Sequence, residues 1–377
     1  MKKHLFLVAL AGVALAGCVK NEVEAPATKQ VKIGFASPVL YSNVDTKASV
    51  YGEIGSHKYD GTETIYTYPR EEKFQIFAVE HSGNLTSWDA ATPADFNATA
   101  ISYNKSLDAW APLKADGGFY YWPDNMQLSF AAMSPAEMDV PGAATAYSST
   151  GLVITDFVVA DDPAKQYDLL YSDRSINKTA KDMKDYGASY YGGIPIMFQH
   201  ALTSIHFSLK TDATETVNLL SIQLKNVKNK GTFKENITNE TEFARNPQWT
   251  PAENSAVKSY TSFTGEVAFP LNSQYVSALA ALDGTDDNDV SHPLLMMPQA
   301  LGNDVVVEVK YEVGGEEKTR TVQLNQYPAK NPITTWEVGT KYTYRLVYSR
   351  EAQRNDIIYF SPETDVWADG GIIEVIL

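Results

Sequence analysis

Residues 305–324 read Val305-Val306-Val307-Glu308-Val309-Lys310-Tyr311-Glu312-Val313-Gly314-Gly315-Glu316-Glu317-Lys318-Thr319-Arg320-Thr321-Val322-Gln323-Leu324. Val305, Val307, Val309, Tyr311 and Val313 recur at every second position, the period of a strand with one buried and one solvated face. Gly314-Gly315 is a turn pair, and Thr319 to Leu324 returns as the second arm of a hairpin. The same signal recurs along the chain. Val31, Ile33 and Phe35 alternate with polar or small residues, and so do Ile205, Phe207 and Leu209, then Leu220, Ile222 and Leu224, then Tyr342, Tyr344, Leu346 and Tyr348. Phe74 to Val79, Leu128 to Ala132, Leu152 to Val159 and Tyr167 to Tyr171 are rich in strand formers.

Gly, Pro, Asn, Asp and Ser clusters separate these runs, and no long 3.6-residue period stands out. Many short strands with turn signals between them predict an all-β chain of β-sandwich domains, mostly antiparallel, with few helices. At 377 residues the expected organisation is two domains. Residues 177–193, with Gly187, Gly192 and Gly193, mark the boundary. The expected division is 31–195 for the first domain and 196–377 for the second. Residues 229–256 read as a long surface excursion of the second.

The N-terminus carries a different message. Lys2 and Lys3 precede an apolar run from Leu5 to Ala16, which is shorter than the about 20 residues a spanning helix needs. Leu15-Ala16-Gly17-Cys18 closes the run, and Cys18 is the only cysteine in the chain. This is the pattern of a bacterial lipoprotein signal, cleaved between Gly17 and Cys18, with diacylglycerol on the Cys18 sulfur. Residues 1–17 are therefore expected to leave, and the polar stretch 18–30 reads as a tether. With Cys18 acylated, no cysteine remains for a disulfide.

Charge and motif content narrow the function. A formal net charge of −15 argues against a nucleic-acid partner, whose phosphates call for a basic face. The six histidines fall in no zinc-ligand spacing, and no nucleophile elbow, P-loop or dinucleotide motif occurs. His200 and His206, six apart on one predicted strand, are expected to share a face. Asp283-Gly284-Thr285-Asp286-Asp287-Asn288-Asp289 has calcium-type carboxylates without the EF-hand spacing and reads as a solvated acidic loop. The chain reads as a non-enzyme, with no cofactor beyond the covalent lipid. The tryptophans, Trp249 among them, read as packing residues, with sugar stacking as the alternative.

Four phrases together resemble the fimbrillin family, the type V pilus subunits of anaerobic Gram-negative bacteria. They are Gly118-Phe119-Tyr120-Tyr121-Trp122-Pro123 with Leu128 to Pro135, Phe198 to Phe207, Leu294-Leu295-Met296-Met297-Pro298-Gln299, and Trp336-Glu337-Val338-Gly339 leading into Tyr342 to Leu346. The resemblance implies two tandem transthyretin-like β-sandwiches in an outer-membrane, cell-surface lipoprotein that polymerises with other pilus subunits by strand exchange. By that resemblance the first strand, 31–41, leaves after proteolysis and another strand fills its groove. Val31, Ile33 and Phe35 would face the core. Lys47-Ala48 stands where the family often has Arg-Ala, and lysine departs from that pattern. Arg70 is a second candidate. The donor candidate is the C-terminal strand 372–377, with Ile372, Ile373, Val375, Ile376 and Leu377 behind a Gly370-Gly371 joint. An uncleaved pilus anchor or tip adhesin is the alternative.

Overall fold

The computed structural model describes residues 31–35, 39–40, 68, 70–105, 109–138, 140, 143–182, 193–194, 196–211, 215–239, 244–268, 276–277, 290–291, 293–327, 332–349 and 357–366. Cys18, Gly17, Lys47, Ala48, the acidic loop 283–289 and the C-terminal strand 372–377 lie outside these.

The 305–324 hairpin forms as its pattern demands. Strands Val306–Val313 and Glu316–Gln323 pair with Val313 opposite Glu316. Gly314 and Gly315 hold φ of 62° and 82°, the doubly left-handed turn that matches strand twist and that glycine adopts without strain. Val307, Val309, Tyr311 and Val313 are buried. Next to the hairpin lies Val217–Lys228, then Val257–Ala268 and Val290–Ser291, completing a five-stranded sheet. A second five-stranded sheet contains Thr203–Thr211, Thr340–Ser349, Ile357–Val366, Val276–Ser277 and Leu294–Met296. Its strands 203–211 and 340–349 run parallel. The two sheets face each other across Ile205, Phe207, Leu209, Leu219, Ile222, Leu224 and Leu346, all buried in one cluster. Tyr311 of one meets Tyr348 of the other at 5.8 Å between ring centroids, so the pair is a sandwich.

One detail shifts the expected face of strand 217–228. Leu219, not Leu220, is buried alongside Ile222 and Leu224. The pairing register slips between Leu219 and Ser221. A bulge adds a residue there and moves the inward face by one position.

The other half is built on a nine-stranded sheet whose main path runs Val39–Leu40, Met197–His200, Leu170–Ser172, Gln127–Ser134, Phe74–His81, Thr99–Asn104, Ala109–Ala111. Strand 197–200 lies beyond the expected boundary at residue 195, yet it pairs with strand 170–172. Strand 74–81 is buried on both faces. Phe74, Ile76 and Ala78 enter one apolar cluster, while Phe77 and Val79 enter the other. That double burial explains its apolar run without polar alternation.

A four-stranded sheet covers one face, in the order Gln248–Pro251, Lys230–Lys234, Gly151–Val158, Ala144–Ser148. Phe77 stacks on Tyr147 at 5.0 Å, and Tyr171 meets Phe233 at 5.2 Å. Residues 229–256, expected as a surface excursion, thus supply two strands of this sheet and a small hairpin, Ile237–Asn239 with Ala244–Arg245. Phe233 is fully buried, and Gly231 is required by close approach. A Cβ there would lie 2.4 Å from the Met297 sulfur and 2.7 Å from the Thr250 carbonyl oxygen.

Candidate functional site

The site begins with five residues, Val31 to Phe35, seated between the edge strand Ala109–Ala111 with residues 120–122 on one side and Ile194 on the other. Phe35 N–H donates to the Trp110 carbonyl at 2.7 Å, and Trp110 N–H donates back at 3.3 Å. Ile33 N–H donates to the Tyr120 carbonyl and Trp122 N–H to the Val31 carbonyl, each at 2.9 Å. On the opposite side Ile194 N–H donates to the Gly34 carbonyl at 3.0 Å. The segment runs antiparallel to Trp110 and parallel to Ile194. It therefore joins the Ala109–Ala111 end of the sheet path to Ile194, over the second apolar cluster.

The side chains divide along the segment. Phe35 is fully buried and Ile33 is 2% exposed, but Val31 is 42% exposed. The expectation that all three face the core holds for two. Val31 lies outside the cluster, and its carbonyl accepts from the Trp122 N–H. Phe35 meets Phe130 at 5.3 Å and Phe74 at 6.2 Å, both edge-on. Phe74 meets Phe198 at 5.7 Å and Trp122 meets Phe130 at 6.0 Å. Such edge-to-face rings contribute beyond area burial, and burying a Phe side chain stabilises by about 1.5–3 kcal/mol. Lys32, on the outer face, places its ammonium 3.9 Å over the Phe119 ring. Trp110 is fully buried, and its indole N–H has no hydrogen-bond partner among the described residues.

Sequence reasoning found the strand and missed its receptor. Tyr120 and Trp122 stand in the aromatic phrase Gly118 to Pro123. Their backbones form one lip of the groove, and Trp110 and Ile194 complete it. The lip is marked by isolated bridges rather than a long alternating strand, so no periodic signal announced it.

The other candidates resolve as follows. Arg70 is exposed, with its guanidinium 4.5 Å over the Tyr103 ring. His200 and His206 do not share a strand, because the chain breaks at Ala201 and Leu202 and re-enters the other half. Both are buried. His200 Nδ1 lies 2.9 Å from Asp168 Oδ1, and His206 Nε2 lies 2.8 Å from Ser204 Oγ. Trp249, the sugar-stacking candidate, packs on Phe157 at 5.4 Å and Phe233 at 5.5 Å, and its indole N–H donates to the Ala201 carbonyl. Trp88, Trp110, Trp122 and Trp336 are buried. Among the described residues no three His, Cys, Asp or Glu side chains converge as metal ligands, and no helix is long and apolar enough to cross a membrane.

The arm 230–251 is fastened differently. Glu235 accepts from Leu152 N–H at 2.9 Å and from Arg245 at 3.3 Å. Arg245 also pairs with Asp173. Burial lifts the Glu235 carboxyl above its usual range, against the pull of the Leu152 N–H and Arg245. Arg174 donates to the Tyr147 hydroxyl at 2.8 Å and the Ser148 carbonyl at 2.6 Å, and lies 4.9 Å over the Trp88 ring.

The chain is similar in fold to a candidate cell adhesion protein of Bacteroides uniformis, at 15% identity and a TM-score of 0.50, covering 90% of this chain and 99% of that one. It also matches a candidate cell adhesion protein of Bacteroides ovatus at 14% identity and a TM-score of 0.42, covering 92% and 99%. The tip fimbrial protein Mfa3 of Porphyromonas gingivalis matches at 9% identity and a TM-score of 0.33, covering 79% and 95%. No curated protein matches it. The fimbrillin-like family model matches residues 64–367, and the chain belongs to that family.

Proposed function

We propose that this chain is a structural subunit of a cell-surface pilus, exported as a lipoprotein and assembled by strand exchange. The observation that carries this reading is the seat of residues 31–35. A short N-terminal segment fills a groove through five backbone hydrogen bonds and two buried side chains, Ile33 and Phe35. A strand held mainly by backbone ladder and pocket-filling side chains is replaceable by another strand of matching pattern. Membership of the fimbrillin-like family supports the same reading.

In the proposed sequence, Cys18 carries the lipid to the outer membrane. Cleavage at Lys47-Ala48 releases the first strand with its lipid. The freed groove then takes a strand from another subunit, the C-terminal residues Ile372, Ile373, Val375, Ile376 and Leu377 being the donor. In this reading the two sandwich units are residues 31–195 and 196–377, with strand 197–200 and the arm 230–251 reaching back into the sheets of the first. Lysine rather than arginine at position 47 favours a second reading, an uncleaved lipid-anchored pilus anchor or tip adhesin, if the processing protease demands a guanidinium.

Limited trypsin treatment of the purified chain, followed by N-terminal sequencing and light scattering, tests the proposal. The expected product begins at Ala48 and forms polymers. A cleanly trimmed chain that stays monomeric overturns the stalk role.

A further inference from the structure

Behind the start of strand 74–81 lies a cleft of about 460 Å³. Glu71, Glu72, Lys73, Pro135, Glu137 and Tyr167 are among its lining residues. Three carboxylates thus share the space with one ammonium. Glu71, Lys73 and Glu137 are exposed. Glu72 is 6% exposed, and its Oε1 is buried with no hydrogen-bond partner among the described residues. The Lys73 carbonyl is already taken, by the Tyr68 hydroxyl at 2.9 Å and the Ala136 N–H at 3.0 Å.

A buried carboxylate oxygen without a donor is costly, and more so beside a second acid. Burial and the neighbouring Glu71 hold the Glu72 carboxyl above its usual range. Lys73, the one cation among the lining residues, is exposed and leaves the buried Glu72 Oε1 without a hydrogen bond. A bare metal ion fits poorly, because no three metal-ligating side chains converge among the described residues. The volume falls instead within the roughly 300–1,000 Å³ of organic-ligand pockets. We propose that this cleft binds an alkylammonium or guanidinium group, with Glu72 as its buried counter-ion and Glu71 and Glu137 at the mouth. The same chemistry is offered by a free diamine and by a basic side chain of a polypeptide.

Calorimetric titration of the full chain separates these sources. The probes are 1,5-diaminopentane, a capped tripeptide with central lysine, and 1-pentanol as the neutral control. The expected result is saturable one-to-one binding of at least one cation, none of pentanol, and a loss of at least about tenfold in affinity in Glu72→Gln. Tighter diamine binding assigns the site to a small amine, and tighter peptide binding assigns it to a basic side chain. Glu71→Gln, at an exposed position, gives a smaller loss and keeps the test available if the first variant misfolds. No saturable binding of either cation, or equal affinity in Glu72→Gln, overturns the proposal.

Discussion

The bridged segment 31–35 and the arm 230–251 both complete β-structure whose framework comes from residues between 70 and 200, but different chemistry fastens them. The first strand brings two apolar side chains and a backbone ladder, and its one cation, Lys32, faces outward over Phe119. The arm brings Phe233 and Trp249, and adds the buried Glu235 and the partly buried Arg245 in a polar cluster with Asp173. A strand that inserts only apolar groups exposes no buried charge when it leaves, and any strand with the same pattern replaces it. Withdrawing the arm would strand partners from a network that is stable only when complete. The contrast separates a replaceable segment from a permanent one.

Substitutions sharpen this contrast in order of expected effect. Phe35→Ala should cost about 3–5 kcal/mol, read by denaturant unfolding, with little dependence on salt. Glu235→Ala should cost about 3 kcal/mol, because it leaves the Arg245 guanidinium short of one buried partner. A Glu235→Ala loss below that of an exposed substitution would break the comparison.

The pH dependence of Glu235 is a third test. Its carboxyl is raised in the folded protein from the ordinary 4.5. Its contribution is therefore fully present below that value and is lost as pH rises through the folded value. Wild-type stability should thus fall over the interval just above pH 4.5 more steeply than that of Glu235→Gln. Thermal melts across that interval read the difference. Ile33→Val should cost about 0.5–1.5 kcal/mol, while Val31→Thr, at a 42% exposed site, should stay within about 0.5 kcal/mol. An equal cost at 31 and 33 would mean that the groove extends further than the ring cluster.

Much of the fold was legible because period-2 patterns survive wherever one face is wet. The 305–313 and 342–348 strands sit with the predicted faces inward. Ahead of the second of these strands, the Trp336 indole N–H donates to the Tyr344 hydroxyl at 3.0 Å. Legibility failed where tertiary structure replaced local pattern. Strand 230–234 has one large apolar residue, Phe233, and a glycine whose value is a close approach from Met297 and Thr250. Nothing local distinguishes it from a loop. The slip at Leu219 comes from a bulge, which the flanking alternation does not encode. The first strand was readable from Ile33 and Phe35. Its receptor was not, because Trp110, Tyr120, Trp122 and Ile194 are assembled from three distant stretches of chain.

The most direct test of a replaceable first strand is complementation in trans. A chain beginning at residue 48 is refolded with and without a labelled peptide of residues 31–41. Saturable binding should restore the melting temperature of the intact chain, and a peptide carrying Phe35→Ala should fail to do so. A truncated chain that melts with the intact one and binds no peptide would contradict a groove built to exchange its strand.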